Sequence, residues 1–228
     1  PSISAVAITD GAGKQNNFLN VGDNVSVTVT FSENSPVTGT PQLTLAVGDD
    51  NRTADYTSSG SGDTTKVFKY TIQAGDTDAN GISIRADALA LDNGTIMDLA
   101  ENNAYLTHSV VDNNSSYKVD TTAPSVDNFT LSDTALKAGD NATVTLVFSE
   151  AVCTVSSDCS GIVFSNDDIT VPNLANGTTP GTLSTMTSDD NITWSGTFTP
   201  RINTEDDNNT LSLATSYTDL AGNNGPDN

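Results

Sequence analysis

The strongest constraint on this chain is an internal repeat. Val21-Gly-Asp-Asn-Val-Ser-Val-Thr-Val-Thr-Phe-Ser-Glu33 returns as Ala138-Gly-Asp-Asn-Ala-Thr-Val-Thr-Leu-Val-Phe-Ser-Glu150, identical at eight of thirteen positions. Asp98-Leu-Ala-Glu-Asn-Asn103 returns as Asp219-Leu-Ala-Gly-Asn-Asn224, and Pro1-Ser2 as Pro124-Ser125. Between the copies lies Val119-Asp120-Thr121-Thr122-Ala123-Pro124. Its proline biases Ala123 toward extended backbone and disfavours a helix across the junction. The chain therefore reads as two domains, 1–120 and 121–228, each near the usual size of an independent fold.

Each copy alternates with period two. Val25, Val27, Val29 and Phe31 are separated by Ser26, Thr28 and Thr30, which predicts a strand with one buried and one wet face. Leu43, Leu45 and Val47 repeat the pattern, as do Phe68, Tyr70 and Ile72. Ile3–Ile8 reads as an opening strand broken by Asp10-Gly-Ala-Gly, and Ala54–Thr57 as a weak strand. Residues 75–81 read as a loop, 82–91 as mostly strand, and 104–119 carry the last one or two strands. In the second copy Phe129–Leu131 opens. Val144, Leu146 and Phe148 follow, then 162–164, 169–171, the face of Ile192, Trp194 and Phe198, and Leu211–Leu213. About seven short strands per copy, with turns between and no helix signal, predict an all-β chain of two tandem immunoglobulin-like β-sandwich domains. The second is expected to lack its last strand, because only nine residues follow Asp219.

Composition narrows the partners. With 29 acidic and 8 basic residues the net charge is −21, so nucleic acid and anionic membranes are poor partners and cations good ones. The 35% hydrophobic content, placed in clean alternation, argues for folding rather than disorder. No signal peptide and no apolar run long enough to span a bilayer is present, so no membrane insertion is expected in this segment. Opening on a proline that matches an internal position, the chain is expected to be a piece of something longer. Cys153 and Cys159, six positions apart, are expected to form a disulfide across a local loop, the alternative being two reduced thiols.

The Val-Asp-Thr-Thr-Ala-Pro linker, the Val-Thr-Phe-Ser-Glu strand end and the Asp-Leu-Ala-Gly-Asn loop resemble the bacterial immunoglobulin-like repeats of large Gram-negative surface adhesins. Residues 75–84, 164–171 and 217–223 extend the resemblance to nearly the whole chain. It implies an extracellular, cell-surface segment of β-sandwiches strung in tandem, with calcium at domain junctions and neighbouring repeats of the same chain as partners. Glu101 where the second copy has Gly222, the cysteine pair and the missing last strand depart from the pattern.

In such a sandwich, strand direction puts Glu33 and Asp98, and likewise Glu150 and Asp219, at the end where the chain comes in. Asp10, Asp23, Asp76 and Asp78 fall at the other end of the first domain. Carboxylates about 4 Å apart repel by roughly 1 kcal/mol in water and more near a protein surface, a cost that a hard cation removes. Ca²⁺ takes 6–8 oxygens from carboxylates, carbonyls and amides. The expected junction set is Asp120, Glu150, Asp219 and Asn223. Glu33, Asp98 and Asn102 form its weaker counterpart, and Asp10, Asp23, Asp76 and Asp78 are further candidates. Turns are also rich in Asp and Asn for backbone reasons alone.

Other motifs weigh less. Asp76-Thr-Asp78-Ala-Asn80-Gly81, with Asp87 at the twelfth place, copies an EF-hand loop without helical flanks, so it reads as a turn. His108, the one histidine, cannot build a triad or a zinc cluster and reads as a solvated strand position. Trp194 reads as core rather than as a sugar-stacking platform. No nucleophile motif or phosphate loop occurs, and no catalysis is expected. The resulting reading is a calcium-stiffened extender of an adhesin. Its rivals are a carbohydrate- or protein-binding module and an accessory module of a secreted enzyme.

Overall fold

A computed structural model describes residues 1–59, 63–154, 163–174, 177–205, 210–214 and 217–225. The chain forms two compact units, Pro1–Thr121 and Thr122–Asn228.

Unit 1 contains β1 (Ile3–Ala12), β2 (Phe18–Leu19), β3 (Asn24–Phe31), β4 (Val37–Thr38), β5 (Gln42–Val47) and β6 (Asp50–Ser59). It continues through β7 (Thr65–Thr71), β8 (Thr77–Asp78), β9 (Leu89–Ala90), β10 (Thr95–Ile96) and β11 (Lys118–Asp120). The main sheet runs β1-β3-β7-β6-β5-β9; β2-β11-β8 and β10-β4 are smaller sheets. The alternation delivers the core: Val25, Val27 and Val29 are fully buried and Phe31 nearly so, packed with Leu43, Leu45, Phe68, Ile72, Ile82 and Ile84. Burying an aliphatic or aromatic side chain of this kind contributes about 1.5–3 kcal/mol.

Several expectations need correction. β1 does not stop at Asp10 but runs on to Ala12, absorbing the Asp-Gly pair in a register shift between Ile8 and Asp10. The weak strand at 54–57 is a ten-residue interior strand, β6, laddered on both sides although it buries only Ala54. Paired backbone outweighs poor local pattern there. Residues 75–81 are not all loop, since β8 pairs with β11. Residues 82–91 are not mostly strand: they make the isolated bridges Ala46↔Ser83 and Ile84↔Val111, then β9. Asp87, with φ 56°, turns the chain between them. His108 is half-buried in irregular backbone, not on a strand.

Unit 2 contains β12 (Val126–Leu131), β13 (Ala142–Phe148), β14 (Ile169–Thr170), β15 (Gly181–Leu183), β16 (Thr193–Pro200) and β17 (Ser212–Leu213). One sheet runs β12-β13-β16-β15 and β14 pairs with β17. Val144, Leu146 and Phe148 face Phe164, Trp194, Phe198, Leu213 and Tyr217 in the core. The expected strand at 162–164 falls partly outside the described residues, and Phe164 itself is buried in irregular backbone. The one helical element described is the 3₁₀ turn Asn166–Asp168. Among the described residues no strand follows β17, whereas β11 closes unit 1.

Candidate functional site

The repeated Asp-Leu-Ala loop has one hydrogen-bond plan in both units. The Asp98 carboxylate accepts from Ala100 N (2.9 Å), Asn102 N (2.8 Å) and Asn102 Nδ2 (2.8 Å). Asp219 accepts from Ala221 N (2.8 Å), Asn223 N (2.9 Å) and Asn223 Nδ2 (2.8 Å). A short acid at the head of a tight loop captures the amides two and four residues on, and the amide side chain locks the second oxygen. The bonds from Asn102, side chain and backbone, hold the Asp98 carboxyl below its usual range.

Glu150 follows β13, and the bridge Val152↔Asp219, with Cys153 N donating to Thr218 O (2.8 Å), draws its turn against the Asp219 loop. A carboxylate oxygen of Glu150 and one of Asp219 lie within 4.8 Å of each other, Glu150 half-buried and Asp219 buried. In unit 1 the counterpart Glu33 is exposed. Asp120 ends β11, half-buried. It lines an open cavity of unit 1, about 640 Å³, together with Asp49, Asp78, Asn80, Thr77 and Phe18.

The remaining acids have separate duties. Asp76 is buried and accepts from Arg52 Nε (2.6 Å), Tyr70 OH (2.6 Å) and Gln73 N (2.9 Å). Burial pushes its carboxyl up, but these donors outweigh it and hold the group below the usual range, while burial and Asp76 together push the Tyr70 phenol up. Asp78 accepts from Gly81 N (2.7 Å), Gly48 N (2.8 Å) and Asn80 N (3.2 Å). Asp23 accepts from Asn20 N (2.9 Å), burial raising its pKa, and Asp10 from Gly11 N (2.9 Å). The EF-like stretch is thus a turn whose acids serve different partners; Asp87 accepts from His108 N (3.0 Å). Sequence reasoning missed Arg52 and Tyr70 as partners of Asp76. It also missed Lys66, fully buried, whose Nζ donates to Asp63 O (2.6 Å), Asp63 Oδ1 (2.6 Å) and Ser59 Oγ (3.1 Å). A lysine inside the alternating apolar face of β7 was the available signal.

Cys153 is buried, its Sγ 2.8 Å from Asp219 O, while Cys159 lies outside the described residues. Two buried polar atoms of unit 2, Trp194 Nε1 and Tyr217 OH, have no hydrogen-bond partner among the described residues.

Residues 120–228 match the family model of the bacterial Ig-like domain. No curated protein matches the chain. The second unit is thus similar to that family by sequence, the first is tied to the second by the repeat, and the all-β architecture agrees with an immunoglobulin-like β-sandwich. No described helix is long and apolar enough to cross a membrane.

Proposed function

We propose that the chain is a non-catalytic, extracellular spacer: two bacterial Ig-like repeats of a large cell-surface adhesin, stiffened by calcium at their junction. Asp120, Glu150 and Asp219 would hold the ion, Asn223 or nearby carbonyls completing its shell. The observation that carries this reading is the Glu150–Asp219 carboxylate pair in a unit whose family match begins on Asp120. Two acids that close repel, and a divalent cation converts the repulsion into attraction. The chain's own residues supply the rest: the Asn223 amide and two backbone N–H groups fix Asp219, so the acid is oriented before any ion arrives. Glu33, Asp98 and Asn102 would form a weaker version in unit 1.

The test is small-angle scattering and thermal melting of the chain in calcium and in chelator. Calcium should lengthen the particle and stabilise it by about 2.7 kcal/mol at a hundredfold excess over Kd. Asp120→Ser should abolish both responses. Identical behaviour in chelator and calcium, or an unchanged response in Asp120→Ser, overturns the junction site.

A further inference from the structure

We propose that unit 2 carries a site for one neutral sugar residue, in the cavity beside Trp194. The cavity holds about 390 Å³, within the range of small-ligand sites. Phe164, Met186 and Trp194 make its apolar wall, the Phe164 and Trp194 rings meeting edge to face at 4.7 Å. Hydroxyls and amides line the rest, Thr185, Thr187 and Asn191 among them, and among the described residues no charged side chain lines it. In a chain of net charge −21 that neutrality sets this surface apart. An ionic ligand finds no counter-charge there, and a purely apolar one would strand the polar rim. A sugar ring, with an apolar face and a girdle of hydroxyls, meets both requirements.

The second observation is the partnerless donor. Trp194 is 8% exposed and its Nε1 is buried without a hydrogen-bond partner among the described residues. A buried N–H left unpaired is costly, so such groups point to an interaction still to be made. Unit 1 provides the contrast. By the repeat, Val29 corresponds to Leu146; Val29 stands opposite Lys66, and Leu146 opposite Trp194. Both units therefore place a donor at the same rung of the same sheet. The Lys66 ammonium is satisfied by Ser59 and Asp63 within its own hairpin. The Trp194 N–H has no such acceptor among the described residues, and the Trp194 side chain borders a cavity. Met186 shares the wall and is buried. Its unbranched thioether can shift to let a sugar oxygen reach the indole edge. The ring face is too covered to act as a stacking platform, so recognition is by the edge.

Trp194 is the chain's one tryptophan, so its emission reports on this cavity alone. Glucose, galactose, mannose and N-acetylglucosamine would be titrated into the intact chain, with calcium and with chelator, up to about 100 mM. At least one should shift the emission saturably, with a Kd on the order of millimolar as befits so few heavy atoms. The shift should be the same in chelator, which separates this site from the proposed calcium junction. Glucuronate and glucosamine, of equal size but charged, should not compete. An oligosaccharide ending in the best sugar distinguishes a glycan terminus, which binds more tightly, from a free monosaccharide, which binds equally. Trp194→Phe keeps an aromatic side chain but removes the N–H with the indole's five-membered ring; it should weaken binding about tenfold, read by saturation-transfer NMR. Thr185→Val, on the exposed rim, should weaken binding several-fold without changing the melting temperature. No emission change with any sugar, competition by the charged analogues, or full binding by Trp194→Phe overturns the proposal.

Discussion

The loops Asp98–Asn103 and Asp219–Asn224 share a sequence pattern and a hydrogen-bond plan but not an environment. Asp219 and Ala221 are buried, each 1% exposed, while Leu99 is 79% exposed and Ala100 also faces solvent. The flanking pair has changed in step. Gly225 N donates to Tyr217 O at 2.9 Å, just as Ala104 N donates to Ile96 O at 2.9 Å. A large Tyr217 goes with a residue that has no Cβ, and a smaller Ile96 with one that does. The lesson is that four or five residues suffice to encode a clamp. How much that clamp contributes depends on what the neighbouring strands lay over it.

The largest effect should come from forcing the first unit's residue into the second. A Cβ at position 225 would overlap the Tyr217 ring, so Gly225→Ala should destabilise unit 2 by about 3 kcal/mol in urea unfolding. The double variant Gly225→Ala with Tyr217→Ile, which recreates the pair of unit 1, should recover part of that loss. Additive losses would show that the two positions are not coupled.

Next comes the clamp itself. Asp219→Ala strands buried donors and should cost unit 2 about 2 kcal/mol. Asp98→Ala, at a half-buried position beside exposed neighbours, should cost unit 1 clearly less, and equal losses would break the comparison. The Asp98 carboxyl titrates below its unfolded value, so its contribution is present above the unfolded pKa and is lost as the pH falls through the lower folded one. Melting of wild type and Asp98→Ala should therefore converge at the acid end of a pH series and separate above it.

The smallest effect concerns the backbone. Glu101 and Gly222 occupy the same left-handed position, at φ 66° and 89°. Glu101→Gly should stabilise unit 1 by about 0.5–1 kcal/mol, since a side chain is strained there. A lower melting temperature for that variant would mean that the Glu101 side chain makes up for the strain.

Much of this architecture is legible in sequence because it is local. The period of two at 25–31 and 144–148 marks the buried faces, and the repeated Asp-Leu-Ala pattern marks the loops. Placing Glu150 and Asp219 at one end of unit 2 needs only the direction of two strands. What stays hidden depends on distant partners. β6 buries almost nothing and exists because β5 and β7 ladder it from both sides. Residues 82–91 carry apolar side chains at intervals that suit a strand, yet Asp87 turns out of it to meet His108, twenty-one residues away. Arg52 reaches Asp76 across twenty-four residues, a pairing that no local window contains. The Trp194 cavity was hidden for a related reason. Periodicity assigns the indole to the core, correctly, but cannot reveal that its N–H lacks an acceptor.

The pairing of β11 with β2 has a mechanical consequence. Lys118 stands beside Phe18 and Val119 beside Leu19 in parallel register, with the Lys118 ammonium 5.1 Å from the Phe18 ring centre. β11 is the last strand of unit 1, and β2 follows its first. Tension on the two ends of the unit drags these neighbours past each other along their length, so their hydrogen bonds carry the load together and must rupture at once. Strands pulled apart sideways give way one bond at a time. The three-stranded sheet of unit 1 is thus its shear lock.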